Sequence, residues 1–359
     1  MAAPGIPVLR PLSMGQILDQ AIRIYRRNFV KFVGIVAAVQ VPLMVIQALI
    51  SMATVRGLFH RLETPADSLG GLFGPDYFLG LLGNVVISVL TLVLLWGGAA
   101  AALARVVADQ YAGETITLVE AYRRIVKSLP RLLGAILFVM VLCIGLIIWL
   151  IVPCVGWLTG PGILFLLFAA IVPLVAPAIV IEGQPALRAI RRAWDLVRRR
   201  FWWVVGFVGI LFLFNQLIVS GPGALLQVVL QLGAGRLLLS GDYATTLIAQ
   251  TVLQYVVTLV LSLIYLPLQM TCLTLMYLDL RVRTEGFDLD VSAARSLPEE
   301  ARPADILAQA APLPTSNLVT WQEMGYFALM SLGAIAAVGL LYAALFAVAM
   351  LIVGLSSGF

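Results

Sequence analysis

Between Ser13 and Gly34 polar and apolar positions alternate with a helical period, and then the polar ones stop. Met14, Ile17, Leu18, Ala21, Ile22, Tyr25 and Phe29 fall on one face of a helix, and Asp19, Gln20, Arg23, Arg26 and Arg27 on the other. Ser13 and Gln16 have the spacing of a capping box, which starts it. From Phe29 the chain stays apolar to about Val55, long enough to cross a bilayer, for which about 20 residues suffice. The pattern predicts an amphipathic helix in the headgroup region that feeds into a transmembrane span.

The same pattern returns twice. A shift of 100 brings Ala21 onto Ala121, Arg23 onto Arg123, Arg27 onto Lys127, Lys31 onto Arg131 and Gly34 onto Gly134, with Thr117 and Glu120 repeating the capping box. A shift of 172 brings Ala21 onto Ala193, Arg26 and Arg27 onto Arg198 and Arg199, Phe29 onto Phe201 and Gly34 onto Gly206. An internal repeat of this kind defines the architecture. Each unit is one interfacial helix followed by two spans: about 32–55 and 78–107, 132–152 and 162–181, 201–219 and 245–277. The string Gly97 to Ala104 and the amides Gln40, Gln47, Gln250, Gln254 and Gln269 suit helix–helix contacts inside the membrane. Residues 221–242 predict a short re-entrant or interfacial helix.

Beyond the third unit the chain is polar and proline-rich from Gly286 to about Thr315, and a last apolar run covers about Tyr326 to Leu355. The predicted fold is all-α, a polytopic membrane helical bundle. It consists of a triplicated six-span domain over 1–285, a cytoplasmic linker over 286–316 and an added seventh C-terminal transmembrane helix within 317–359. Gly333, Ala337 and Gly339 in that helix invite packing against another helix.

Composition agrees: 62% of the 359 residues are hydrophobic and 11% charged, against about 25% charged in soluble domains. If the N-terminus is cytoplasmic, 20 of the 23 Lys and Arg residues lie inside, and only Arg56, Arg61 and Arg236 fall outside. The positive-inside rule then places the protein in a bacterial cytoplasmic membrane with the N-terminus in and the C-terminus out. The basic faces, Arg23, Arg26 and Arg27, then Arg123, Arg124 and Lys127, then Arg198, Arg199 and Arg200, predict contact with anionic membrane lipids or with a partner protein. Each such charge near an anionic surface is worth about 1 kcal/mol.

Chemistry is sparse. Between their ends the spans carry no ionisable side chain, which weighs against ion-coupled transport. His60, the single histidine, stands near Glu63, Asp67 and Asp76 in a loop and reads as solvated; Cys143, Cys154 and Cys272 have no paired spacing. No catalytic motif is present, and nothing calls for a cofactor, a metal or nucleic acid. One cluster stands out after the sixth span: Tyr277, Asp279, Arg281, Arg283, Glu285, Gly286, Phe287 and Asp288 alternate in sign between aromatics. It reads either as a docking site at the inner surface or as a locally salt-bridged helix end stopped by Gly286; a latch closing the bundle fits both.

Three stretches, RPLSMGQILDQAIRIYRRNF from Arg10, AIRRAWDLVRRRFWWVVG ending at Gly206, and LMYLDLRVRTEGFDL ending at Leu289, resemble the bacterial glycerophosphoryl diester phosphodiesterase membrane-domain family and its YciC-like inner-membrane relatives. Ala193 stands where such proteins often carry serine, and the final span is an addition. The resemblance implies a six-span bundle with interfacial helices. It does not imply the enzyme in the family's name, which would need a separate soluble domain. The function expected is that of a non-enzymatic structural or accessory subunit packing with itself or a larger complex; the alternative is a lipid or small-solute permease lined by amides and proline-freed carbonyls.

Overall fold

The computed structural model describes residues 11–62, 75–111, 117–227, 243–286 and 319–356. Within them the regular elements are all helices: α1 Met14–Arg27, α2 Phe29–Leu62, α3 over 75–111, α4 Leu118–Val126, α5 Leu129–Leu150, α6 Val155–Val180, α7 Ala186–Arg199, α8 Phe201–Gln227, α9 Tyr243–Glu285 and α10 Trp321–Ser356. Stretches of α2, α3, α5, α6, α8 and α9 are long and apolar enough to cross a membrane. That fits a multi-pass membrane protein.

Two of the three short helices start on the caps their sequences offer, and α7 starts after Pro185 without a side-chain cap. Ser13 and Gln16 form the full capping box of α1, and Thr117 Oγ1 accepts the Glu120 N–H at the start of α4. They do not lie apart from the bundle but fold back along it. Leu12 N–H donates to Asp279 Oδ1 at 2.7 Å and Tyr25 O–H to the Ile264 carbonyl at 2.8 Å. Rising numbers on α1 thus meet falling numbers on α9, so the two helices run antiparallel. A tight turn, in which Gly183 takes φ +68°, returns α7 along the end of α6. Likewise α4 packs on the end of α3.

Those three helix ends, Ala100–Tyr111 of α3, Val172–Val180 of α6 and the last turns of α9, pack on one another. They are buried on nearly every side, including Ala101 to Ala104, Leu174 to Ile179 and Met270 to Leu280. A helix with apolar side chains all round needs cover all round. The short helices supply it, each through a fully buried alanine: Ala21, Ala121 and Ala193. Their contacts with the spans also rhyme, since a Cβ on Gly134 would lie 3.6 Å from Ala186 Cβ, and one on Gly206 3.6 Å from Met14 Cε.

Wide π turns at Leu92–Ala99 and Leu167–Ile171 precede the buried ends of α3 and α6. Such a turn rotates the following face relative to the preceding one, which suits a helix passing from a one-sided to an all-round environment. Towards the other end the packing loosens. In α5 Leu132, Ala135, Ile136 and Val139 are buried, whereas Val141, Ile144, Ile147 and Ile148 are more than half exposed. Trp149 and Trp157 stand at that end and Trp202 and Trp321 at the basic end, the arrangement of an interfacial aromatic belt.

α10 begins beside α7 and packs along Val155–Leu166. Gly162 makes this approach workable: its N–H donates to Ser331 Oγ at 2.7 Å, and a Cβ there would collide with the Phe327 carbonyl oxygen.

Candidate functional site at the basic end

The cluster foreseen after the sixth span lies inside α9, which continues to Glu285 and stops at Gly286 with φ +68°. A left-handed residue there is what glycine supplies most readily. Phe287 and Asp288 lie outside the described residues, as do the segment 228–242, the loop 63–74 and nearly all of the linker.

Two ionic groupings emerge from one helix end. In the first, Arg283 Nε is 2.7 Å from Asp279 Oδ2, one turn back, and its amino group donates to the Leu12 carbonyl. With the bond from Leu12 N–H, the pair clamps the segment entering α1, and the guanidinium lies 5.8 Å from the Trp203 ring centroid.

The second grouping is long-range. Glu182, in the turn between α6 and α7, accepts from Tyr277 O–H and lies 3.1 Å from both Arg281 Nε and Arg192 Nε. Arg192 also donates to Glu285 at 2.7 Å. The side chains of all four ions are at least nine-tenths buried. Burying an ion is expensive unless partners surround it; here two carboxylates meet two guanidiniums. Burial alone would lower the Arg192 pKa, but its hydrogen bond to Glu285 and the charges of Glu182 and Glu285 outweigh that and hold it above the ordinary value. The grouping is therefore a latch between α9 and the α6–α7 turn, and not merely a locally paired helix end.

Smaller ties complete the layer. Asp109, near the end of α3, lies 3.0 Å from Arg105 and 3.1 Å from Arg124 of α4. Tyr122 donates to the Ile35 carbonyl at 2.7 Å, and burial pushes both its pKa and that of Tyr25 up to about 12. Arg199 donates to the Thr284 carbonyl at 3.1 Å, and Arg198 Nε is 2.8 Å from Glu323 in the first turn of α10.

Of the basic residues foreseen as lipid or partner contacts, Arg23, Arg26, Arg27, Arg123, Lys127 and Arg200 are exposed, while Arg124, Arg198 and Arg199 are tied to neighbouring elements. Glu182, Arg192, Asp109 and Glu323 were not singled out by the sequence as members of a site. The available signal was a carboxylate at the exit of an apolar run, followed by an arginine on what should be the apolar face of α7. Among the described residues no group of three His, Cys, Asp or Glu side chains is placed to hold a metal ion. No family model, no curated protein and no solved structure matches the chain.

Proposed function

We propose that this chain is a non-enzymatic, multi-pass protein of the bacterial cytoplasmic membrane that acts as a structural or accessory subunit, packing with itself or a larger membrane complex. The observation that carries the reading is the use of α10. One side of it seats Phe327 and Ser331 on Gly162, while Gly325, Gly333 and Gly339 have no neighbouring atom of the described residues within 4 Å of where a Cβ would stand. Glycines left open on an apolar helix admit a second helix at close range. In this reading α10 is a seventh span and Gly333 and Gly339 mark the interface.

The triplication belongs to the same proposal. The shifts of 100 and 172 that align the basic helices also carry Phe32 onto Leu132 and Val204, and Ile35 onto Ala135 and Phe207, all buried. The shift of 172 carries Met14 onto Ala186, and the 72-residue difference between the shifts carries Gly134 onto Gly206, so the contact of Ala186 with Gly134 recurs one unit further round as Met14 with Gly206. The basic layer faces the cytoplasm, and its exposed arginines rest on anionic lipid. The resemblance to the phosphodiesterase membrane-domain family accords with such a bundle without its catalytic domain.

Gentle extraction into nanodiscs followed by intact-particle mass analysis tests the proposal. The expected result is a defined assembly, of copies or of partner chains, that is lost when residues 321–359 are removed. A lone chain under the same conditions overturns it.

The polar seam between α2 and α9 favours the second reading, a permease. Gln40, 6% exposed, donates to Ser262 at 2.5 Å, Ser51 pairs with Tyr255 at 2.9 Å, and the buried amide oxygens of Gln40 and Gln254 have no hydrogen-bond partner among the described residues. Gln40→Leu with Gln254→Leu abolishes solute or lipid flux in reconstituted vesicles if the seam is a path, and spares assembly if it is not.

A further inference from the structure

Where α7 meets the first turn of α10, the structure leaves a cavity of about 390 Å³, a volume typical of small-molecule sites. Its charged wall is mixed, with Asp195, Arg198 and Arg199 from α7 and Glu323 from α10. Arg198 and Glu323 are engaged with each other at 2.8 Å. Glu323 also accepts the Thr320 N–H at 2.6 Å, while Thr320 Oγ1 accepts the Glu323 N–H, so this carboxylate caps α10. These two side chains hold the wall together.

Asp195 and Arg199 keep unused capacity. Asp195 is 4% exposed and lines the cavity, yet its Oδ2 has no hydrogen-bond partner among the described residues. Its Oδ1 is no closer than 3.8 Å to Arg198. A buried carboxylate oxygen without a donor is unfavourable, so the carboxylate that lines the cavity carries an unmet demand for a donor. Arg199 is exposed, and one of its amino groups is occupied by the Thr284 carbonyl.

One aromatic ring faces the cavity, backed by others outside it. Tyr326 lines the cavity, with the Phe201 and Trp202 ring centroids 5.0 and 5.4 Å from its own, and Trp321 beside it is 92% exposed. Exposed tryptophans at the end of an apolar helix belong at headgroup depth. The ligand class follows from Asp195 and Arg199 together with this aromatic border: a positive donor joined to a negative acceptor, delivered at the membrane surface.

We propose that this cavity binds an amine-bearing phospholipid head group, its primary ammonium donating to Asp195 and its phosphate lying against Arg199. A purely anionic head group would bring its charge against Asp195 and Glu323. A choline head group has no N–H to give to the Asp195 carboxylate. The shared chemistry is an ammonium joined to a phosphate by a short linker, which a lipid or a soluble zwitterion could present.

The test is native mass analysis of the full chain in detergent with equimolar phosphatidylethanolamine, phosphatidylcholine and phosphatidylglycerol. One phosphatidylethanolamine should be retained about tenfold over the other two, as one charge-assisted hydrogen bond allows. Asp195→Asn should bring the three lipids to parity. Arg199→Gln, on an exposed side chain, should weaken phosphatidylethanolamine retention with helix content unchanged, while Arg123→Gln on α4 should leave the preference intact. Free phosphoethanolamine separates the sources: failure to displace the lipid supports a lipid site, and displacement at equal concentration overturns it. Equal retention of the three lipids by the native chain, or an unchanged preference in Asp195→Asn, also overturns the proposal. These readouts do not depend on the assembly proposed above.

Discussion

Cys154 has φ +65° and ψ −65°, a γ-turn between α5 and α6 that the Val155 N–H closes onto the Pro153 carbonyl at 2.8 Å; the other positive-φ positions among the described residues are Gly183 and Gly286, each at a different turn. Such a conformation costs a non-glycine residue about 1–3 kcal/mol. Its side chain is exposed, so removing it takes little packing away. Cys154→Gly should therefore stabilise the protein by about 1 kcal/mol, read as a higher melting temperature in detergent. Two residues on, Gly156→Ala should do the opposite, because a Cβ there would strike the Trp149 carbonyl oxygen. Asp195 offers a pH-dependent counterpart. Burial raises its pKa against the opposing pull of Arg198, Arg191, Arg199 and Arg192. A raised carboxyl pKa means that the folded state holds its proton longer than the unfolded chain does. The associated stability is present below the ordinary carboxyl value of about 4 and is lost as pH rises through the elevated native value. In lipid-free detergent the melting temperature of Asp195→Asn should exceed that of the native chain at pH 7, and the gap should close as the pH falls towards 4.

At the scale of elements, the latch decides how α9 is held to the α6–α7 turn. Glu182→Gln leaves Arg281 and Arg192 with one carboxylate instead of two, and breaking one side of a buried pair typically costs about 3–5 kcal/mol. Arg281→Met alone should cost a similar amount. Together they leave the Arg192–Glu285 pair intact, so the double variant should lose clearly less than the sum of the two singles. Additive losses in a thermal double-mutant cycle would show that Glu182 and Arg281 act independently. The sequence revealed much of the surrounding framework: the amphipathic periods of α1, α4 and α7, the caps at Ser13 and Thr117, the stop at Gly286 and the six apolar stretches. Helical period and capping chemistry are local, so they can be read locally. It did not reveal that Arg281 answers Glu182 across the fold, because Asp279 with Arg283 and Arg281 with Glu285 already satisfy the one-turn spacing of a self-contained helix end. Nor did it show α1 folding back on α9, since an apolar face looks the same whether lipid or protein covers it. The π turns escaped for a related reason, having no composition of their own.

Across the whole molecule, packing is dense at the basic end and open at the other, and α10 runs beside the more open half. At 36 residues it is about 54 Å long, well beyond the ~30 Å hydrocarbon layer. Its first turn is fixed to α7 at the basic end through Arg198 and Glu323, and it then packs along Val155–Leu166. A seventh crossing would carry Ser356 to the side where the α5–α6 turn lies. The protein already contains a reporter for that side in Cys154, which is exposed in the turn, whereas Cys272 is buried. With Cys143 and Cys272 changed to Ser, an impermeant maleimide should label Cys154 only from outside the cell. Arg200→Cys, placed in a Cys154→Gly background, should label only in inverted vesicles if the basic layer is cytoplasmic, the orientation proposed above from the positive-inside rule. Ser356→Cys in the same background should label from outside, as Cys154 does. If it instead reacts in inverted vesicles together with Arg200→Cys, α10 does not cross. The open glycines would then belong to a helix lying on the cytoplasmic surface, and the partner contact would have to be sought there instead of within the membrane.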